Sequence, residues 1–174
     1  EAAHRFQEDH LRLLRGARFS AQLDFEIDLH TLKAMTVMAP TVKKVSGERI
    51  RDELGKLLKT KKPLRGLQVM QATDMMLTLF PWRLAHNDWY PWKQSEDWQN
   101  FALFFREAKK QELKDGLDLL KLSTKERKAI EAAWTLFQAP QDFLQQRDGD
   151  KLTQMQKPGI PWALEILQKE QIAE

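Results

Sequence analysis

The sequence predicts an all-α fold, read as an elongated multi-helix array of neck, body and tail units. Two observations carry this. Apolar residues recur at steps of three and four along most of the chain, and strand-type alternation never lasts beyond a few residues. A third is punctuation: Ser, Asp and Pro stand where helices of ordinary length would start and stop.

The elements follow in order. From Glu8 to Leu23, Leu11, Leu14, Arg18 and Ala21 recur at helical spacing, with Leu13, Ala17 and Phe19 widening the apolar surface. Asp24 breaks this helix, and Phe25-Glu26-Ile27 is too short to anchor a sheet. Asp28 is the expected N-cap of a second helix through Leu32 and Met35. Pro40 interrupts the chain, and Ser46 is expected to cap a third helix carrying Ile50, Leu54, Leu57 and Leu58. Leu64 to Met76 reads as one helix that ends before Phe80-Pro81. The stretch from Trp82 to Trp92 contains His86-Asn87-Asp88 and Pro91, and reads as a loop tucked in by aromatics. Ser95 then opens a helix bearing Trp98, Phe101, Ala102, Phe104 and Phe105, followed by one from about Lys110 to Leu120. Ser123-Thr124-Lys125-Glu126 has the capping-box form and starts a helix with Ile130, Ala133, Trp134 and Phe137 that stops before Pro140. Short helices at Asp142–Arg147 and Pro161–Gln171 close the chain.

Composition excludes several classes. With 174 residues, 42% hydrophobic and 30% charged, the chain is globular and not disordered or fibrous. No window approaches the roughly 18 apolar residues of a membrane span, so no membrane partner is expected. It has no Cys, which excludes disulfides, thiolate metal sites and Cys nucleophiles, and fits a cytoplasmic setting. The net charge of +3 is unevenly spread: residues 1–65 carry a balance of +5 and residues 66–174 one of −2. The first part is therefore the better surface for a polyanion. Its densest basic run is Lys59, Lys61, Lys62 and Arg65 around Pro63, readable from charge alone as an RNA contact or as a solvated loop.

The usual catalytic signatures are missing. There is no Gly-rich phosphate loop, no HExxH and no Gly-x-Ser-x-Gly elbow. The four His (His4, His10, His30 and His86) lack ligand spacing, so no metal site is expected. Asp148-Gly149-Asp150 has the form of a Mg²⁺-holding pair but lacks a phosphate cradle, and reads as a turn. Trp98 and Trp134 sit at core spacing. Trp89 and Trp92, flanking Tyr90, are left open between packing and base stacking.

The informative stretch is Glu8-Asp9-His10-Leu11-Arg12 followed by Arg15-Gly16-Ala17-Arg18-Phe19. On one helix Glu8, Arg12, Arg15 and Phe19 share a stripe, and Asp9 lies three residues before Arg12. An Asp acceptor beside an Arg fork offers both acceptors and donors to a flat polar edge, such as that of a nucleobase. Glu8 is placed to hold Arg12 by an i,i+4 pair. A salt-bridged surface helix would have the same spacing.

These residues resemble the Glu-Asp-x-x-Arg motif, and its continuation, of the class II tRNA nucleotidyltransferases, the CCA-adding enzymes and bacterial poly(A) polymerases. Three further stretches match in order: Leu23-Asp24-Phe25-Glu26-Ile27-Asp28, Val45 to Leu54 around Gly47, Glu48, Arg49 and Glu53, and Leu120-Lys121-Leu122-Ser123. The resemblance is strong over about residues 5–80 and general beyond. It implies that Asp9 and Arg12 hydrogen-bond the base of incoming CTP or ATP, with Glu8 orienting Arg12. Arg15 and Arg18 match neck positions near the triphosphate or its supporting packing, and Glu48, Arg49 and Glu53 match a structural neck motif. It further implies a neck at 1–60 for nucleobase recognition, a helical body at 61–138 and a helical tail at 139–174, the last two holding the tRNA acceptor arm. The family's metal-holding carboxylates, with Mg²⁺, belong to a catalytic head upstream of the motif. Nothing of that kind precedes Glu1, so this chain alone is expected not to transfer nucleotides. Three alternatives stay open: a poly(A) polymerase portion, a stand-alone helical RNA-binding or adaptor module, and a helical scaffold without a nucleic-acid partner.

Overall fold

The computed structural model describes residues 2–85 and 96–173. Among these the regular structure is helical throughout, as the sequence predicts. The helices are α1 (Ala2–Glu8), α2 (Leu11–Leu23), α3 (Leu29–Met38), α4 (Gly47–Leu58), α5 (Pro63–Ala72), α6 (Met75–Leu79), α7 (Asp97–Phe104), α8 (Lys110–Leu119), α9 (Thr124–Gln138), α10 (Pro140–Leu144), α11 (Asp148–Met155) and α12 (Ile160–Ala173). Two 3-10 turns, Ala39–Lys44 and Pro81–Ala85, complete them. The aromatic loop read around Trp89 and Trp92, and the Ser95 cap, lie outside the described residues.

The chain forms two compact units. The first comprises the described residues of Glu1–Gln94 together with Ala108–Lys121, and is organised on α2, which packs against both α4 and α5. Helix α2 buries Leu13, Leu14 and Ala17, and α4 buries Ile50, Leu54 and Leu57 at steps of three and four. Each such Leu or Ile side chain removed from water contributes about 1.5–3 kcal/mol. Helices α2 and α5 come close because Gly66 has no side chain: a Cβ there would lie 2.9 Å from the Ala17 carbonyl oxygen and from the Leu57 side chain. Helix α8 adds buried Leu113 and Leu117 to the same unit.

The second unit comprises the described residues of Ser95–Glu107 with Leu122–Glu174. Helix α9 packs against α7 and α12 over Phe101, Phe104, Ile130, Ala133 and Ile166. Trp98 meets Trp162 edge to face with centroids 5.2 Å apart, which bears out its reading as a packing residue. Arg106 stands 4.7 Å over the Phe137 ring, and its guanidinium pairs with Glu170, Nη2 to Oε2 at 3.0 Å.

Local chemistry explains where the helices start. Asp28 Oδ1 accepts from the His30 and Thr31 amides, both at 3.0 Å, as its N-cap reading requires. The Ser123–Glu126 capping box forms: the Ser123 amide donates to Glu126 Oε2 at 3.0 Å and the Glu126 amide to Ser123 Oγ at 3.3 Å. Ser46 does precede α4, but its side chain makes no capping bond.

Four boundaries differ from the sequence reading. The helix expected from Glu8 to Leu23 breaks after Glu8, because Asp9 Oδ1 accepts from the Leu11 amide at 3.1 Å and starts a new helix. The helix expected from Leu64 to Met76 breaks where Asp74 takes a left-handed backbone, φ 61°, separating α5 from α6. The short helix expected at Asp142–Arg147 instead starts at Pro140, whose fixed φ suits a first helical position, and ends at Leu144. Asp148-Gly149-Asp150, expected as a turn, is the first turn of α11, where carboxylates favour the positive end of the helix dipole.

Candidate nucleotide and RNA interface

The break between α1 and α2 is where the candidate base-binding residues gather. Glu8 ends α1 and Arg12 lies in the first turn of α2. Arg12 Nη1 donates to Glu8 Oε2 at 2.7 Å and to the Arg5 carbonyl at 3.0 Å. Glu8 therefore holds Arg12 as its spacing suggests, although the two are on different helices. One face of the guanidinium is fixed to the chain, while Nε and Nη2 have no partner among the described residues. The group is 42% exposed, so these donors are open to a ligand.

Asp9 occupies the junction. Besides accepting from the Leu11 amide, its two oxygens each lie 3.2 Å from Arg49 Nη2 on α4. Asp9 is thus not paired with Arg12: another arginine, forty residues along, sets its orientation. Each carboxylate oxygen has two lone pairs, so acceptor capacity is left on Asp9. Arg49 belongs to the motif read as structural, and its grip on Asp9 was invisible to local spacing.

The remaining neck arginines separate. Arg15 is exposed, with its guanidinium carbon 5.9 Å from the Phe19 ring centre, and is open to a ligand. Arg18 is only 13% exposed. Its Nε donates to Glu53 Oε2 at 2.8 Å, its Nη1 to Gln22 at 2.6 Å, and it lies 4.1 Å over Phe19. Arg18 thus ties α2 to α4 through Glu53, a contact of the supporting-packing kind.

The basic run also divides. Lys62 pairs with Asp24, and Arg65 donates to Asp24 Oδ1 at 2.9 Å and to the Phe25 carbonyl at 3.2 Å. Asp24, left-handed at φ 57°, ends α2 and is the anchor both cations hold. Hydrogen bonding from Lys62, with the charges of Lys62 and Arg65 beside it, holds its carboxyl below the usual carboxylate range. Lys59 caps the end of α4, and Lys61 is exposed without a partner among the described residues.

No group of three or more His, Cys, Asp or Glu among the described residues is placed to hold a metal ion. The described residues thus gather no carboxylate set that would fit the Mg²⁺ implied by the resemblance. No described helix is long and apolar enough to cross a membrane.

Residues 24–83 match a family described as the probable RNA and SrmB-binding site of polymerase A. The CCA-adding enzyme of Limosilactobacillus reuteri is 48% identical over 71 residues, which is 41% of this chain and 18% of that protein. That of Leuconostoc mesenteroides is 38% identical over 100 residues, 58% of this chain and 22% of the relative. The chain thus spans about a fifth of the length of these curated relatives. Among solved structures, the Thermotoga maritima CCA-adding enzyme complexed with tRNA shares the fold, with a TM-score of 0.59 and 22% identity over 80% of this chain and 38% of that one. A CCA-adding enzyme in complex with ATP also has a TM-score of 0.59, at 20% identity over 80% and 37%.

The class resemblance carried by the motifs therefore stands: the chain is similar to the helical C-terminal portion of the class II tRNA nucleotidyltransferases. Within that class, the relatives it matches are CCA-adding enzymes.

Proposed function

We infer that the chain is part of a CCA-adding nucleotidyltransferase, in which it selects CTP and ATP through Asp9 and Arg12 and holds the tRNA acceptor arm by its backbone. The observation that carries this reading is the Glu8–Arg12 contact, which fixes one side of the guanidinium and leaves Nε and Nη2 open beside an Asp acceptor. Cytosine and adenine each present an amino donor next to a ring-nitrogen acceptor. An Asp oxygen takes the first and an Arg N–H the second. Uracil and guanine present a carbonyl where the amino group would be and meet a repelling carboxylate. Arg15 is open to a triphosphate on the same face. Residues 1–60 act as the neck, 61–138 as the body and 139–174 as the tail, with Lys59, Lys61, Lys62 and Arg65 as backbone contacts. In this reading nucleotidyl transfer itself, with its Mg²⁺, is the work of a catalytic head and not of these helices.

The test uses the complete enzyme with Asp9→Ala and Arg12→Ala. Incorporation of CTP and ATP against UTP and GTP should lose about 1–3 kcal/mol of discrimination in each, with tRNA affinity kept. Unchanged selectivity in both variants overturns the template reading. The matched family's description names polymerase A, which favours a poly(A)-adding parent as the second reading. Product ends made with both nucleotides present decide it: CCA for the first, an A tract for the second.

A further inference from the structure

A cleft of about 410 Å³ opens on the first unit between the end of α2, the loop that follows it, α3 and α5. That volume lies within the roughly 300–1,000 Å³ range of small-ligand pockets. Ile27, Leu32, Val69 and Ala72 give it apolar walls, and Arg65 and Gln68 stand at its polar side. Two other polar lining groups are less available. Ser20 Oγ donates to the Phe25 carbonyl at 2.7 Å, and Glu26, almost fully exposed, lies 3.8 Å from Arg65 Nη2.

Arg65 is held rigidly by its bonds to Asp24 and the Phe25 carbonyl, so its remaining N–H groups point from a fixed frame. Gln68 lies three residues on along α5 and shares that face. Its amide is exposed and has no partner among the described residues, leaving two donors and one acceptor.

These features suit a flat heterocycle on a phosphate backbone. The apolar walls take its faces, the amide reads its edge and the guanidinium takes the neighbouring phosphate. Seven of the eight lining residues fall within 24–83, the segment that matches the RNA-binding family. We propose that this cleft receives one unpaired base of bound RNA, with Gln68 on its edge and Arg65 on the adjoining phosphate. The proposal rests on the reading that the chain binds RNA. It concerns a different place from the nucleotide-selecting residues, since Ser20 stands about 13 Å along α2 from Leu11, next to which Asp9 lies.

The test is fluorescence anisotropy on the whole chain with two probes: a short single-stranded RNA and the same strand made abasic, which keeps every phosphate. The unmodified chain should bind the base-bearing strand more tightly. Gln68→Ala should weaken that strand by about 2- to 10-fold, the worth of one hydrogen bond, and leave the abasic strand unchanged. Ala72→Trp, which fills the cleft from an exposed helix position, should abolish the preference while thermal unfolding stays cooperative. Equal binding of the two strands, as a protein segment in the cleft would give, overturns the base pocket and leaves RNA binding standing. So does a preference that survives in a folded Ala72→Trp. Failure to bind either strand at low salt overturns the RNA reading itself.

Discussion

Arg49 Nη2 lies 3.2 Å from both carboxylate oxygens of Asp9, tying the junction of α1 and α2 to α4. The bond matters for direction more than for stability, because the side chains are 53% and 30% exposed and such pairs contribute about 0–1 kcal/mol. Arg49→Ala should therefore leave the melting temperature nearly unchanged. In the complete enzyme it should loosen CTP and ATP selection, since Asp9 is then held by the Leu11 amide and no longer by Arg49, with Arg49→Lys restoring part of it. Incorporation ratios and thermal unfolding measured together check this. A large loss of stability with intact selectivity would make Arg49 a packing residue alone.

Arg18 and Glu53 form the opposite case, a pair 13% and 8% exposed. Removing one partner strands a buried charge, so Glu53→Ala should cost about 3–5 kcal/mol in urea unfolding. Replacing both, as Arg18→Met with Glu53→Leu, should recover most of that loss, because no buried charge is then left unpaired and Lys56, the other partner of Glu53, is exposed to water. If the single and double variants are equally destabilised, the pair's role is steric and not electrostatic.

Asp24 makes stability depend on pH. Its carboxyl is held below the ordinary value of 3.8, first by the hydrogen bond from Lys62 and then by the nearby charges of Lys62 and Arg65. A carboxyl depressed in the folded state binds fewer protons there than when unfolded. Its contribution is thus present above 3.8 and lost as pH falls through the folded value. Asp24→Asn should melt lower than the unmodified chain at neutral pH, and the two curves should converge below pH 3.8. A constant gap across the acid range would remove the ionic account.

The same clamp divides the basic run. Lys62 is held by Asp24, whereas Lys61 is exposed with no partner among the described residues. If the run tracks a phosphate backbone, Lys61→Ala should lower the slope of log affinity for RNA against log salt by about 0.7–0.9, one phosphate contact. Lys62→Ala should change it less. Equal slopes for Lys61→Ala and the unmodified chain would exclude Lys61 from the contact.

What the sequence made legible follows from the range of the interactions. The Asp28 cap, the Ser123–Glu126 box and the Glu8–Arg12 pair all join residues two to four apart, where spacing is nearly geometry. The break after Glu8 was missed because the Leu11 to Ala21 periodicity is strong, and a single Asp side chain competing for a backbone amide barely alters the pattern. The pairings Asp9–Arg49, Arg18–Glu53 and Asp24–Arg65 span about forty residues, and no local rule reaches that far. Resemblance placed several of those residues in motifs without revealing that the motifs touch. The 410 Å³ cleft was likewise out of reach, being assembled from α2, a loop, α3 and α5.

Gly47 shows why one of those motifs contains a glycine. A Cβ there would fall 1.9 Å from the Leu119 carbonyl oxygen, so the end of α8 rests directly on the start of α4. Arg51 Nη1 donates to the Lys121 carbonyl at 3.1 Å and secures the same approach, with Lys121 in a left-handed backbone at φ 50°. The obstacle is backbone and not a flexible side-chain end, so relief requires α8 to move. Gly47→Ala should cost about 1–3 kcal/mol or more in urea unfolding. Gly149→Ala is the matched control: nothing lies within 4 Å of its Cβ, it sits in the first turn of α11, and alanine there should be neutral or stabilising by about 0.5 kcal/mol. If Gly47→Ala is as stable as Gly149→Ala, the contact between α4 and α8 is not the reason for the glycine. A loss confined to Gly47→Ala would tie the second and third sequence motifs to a single packed joint.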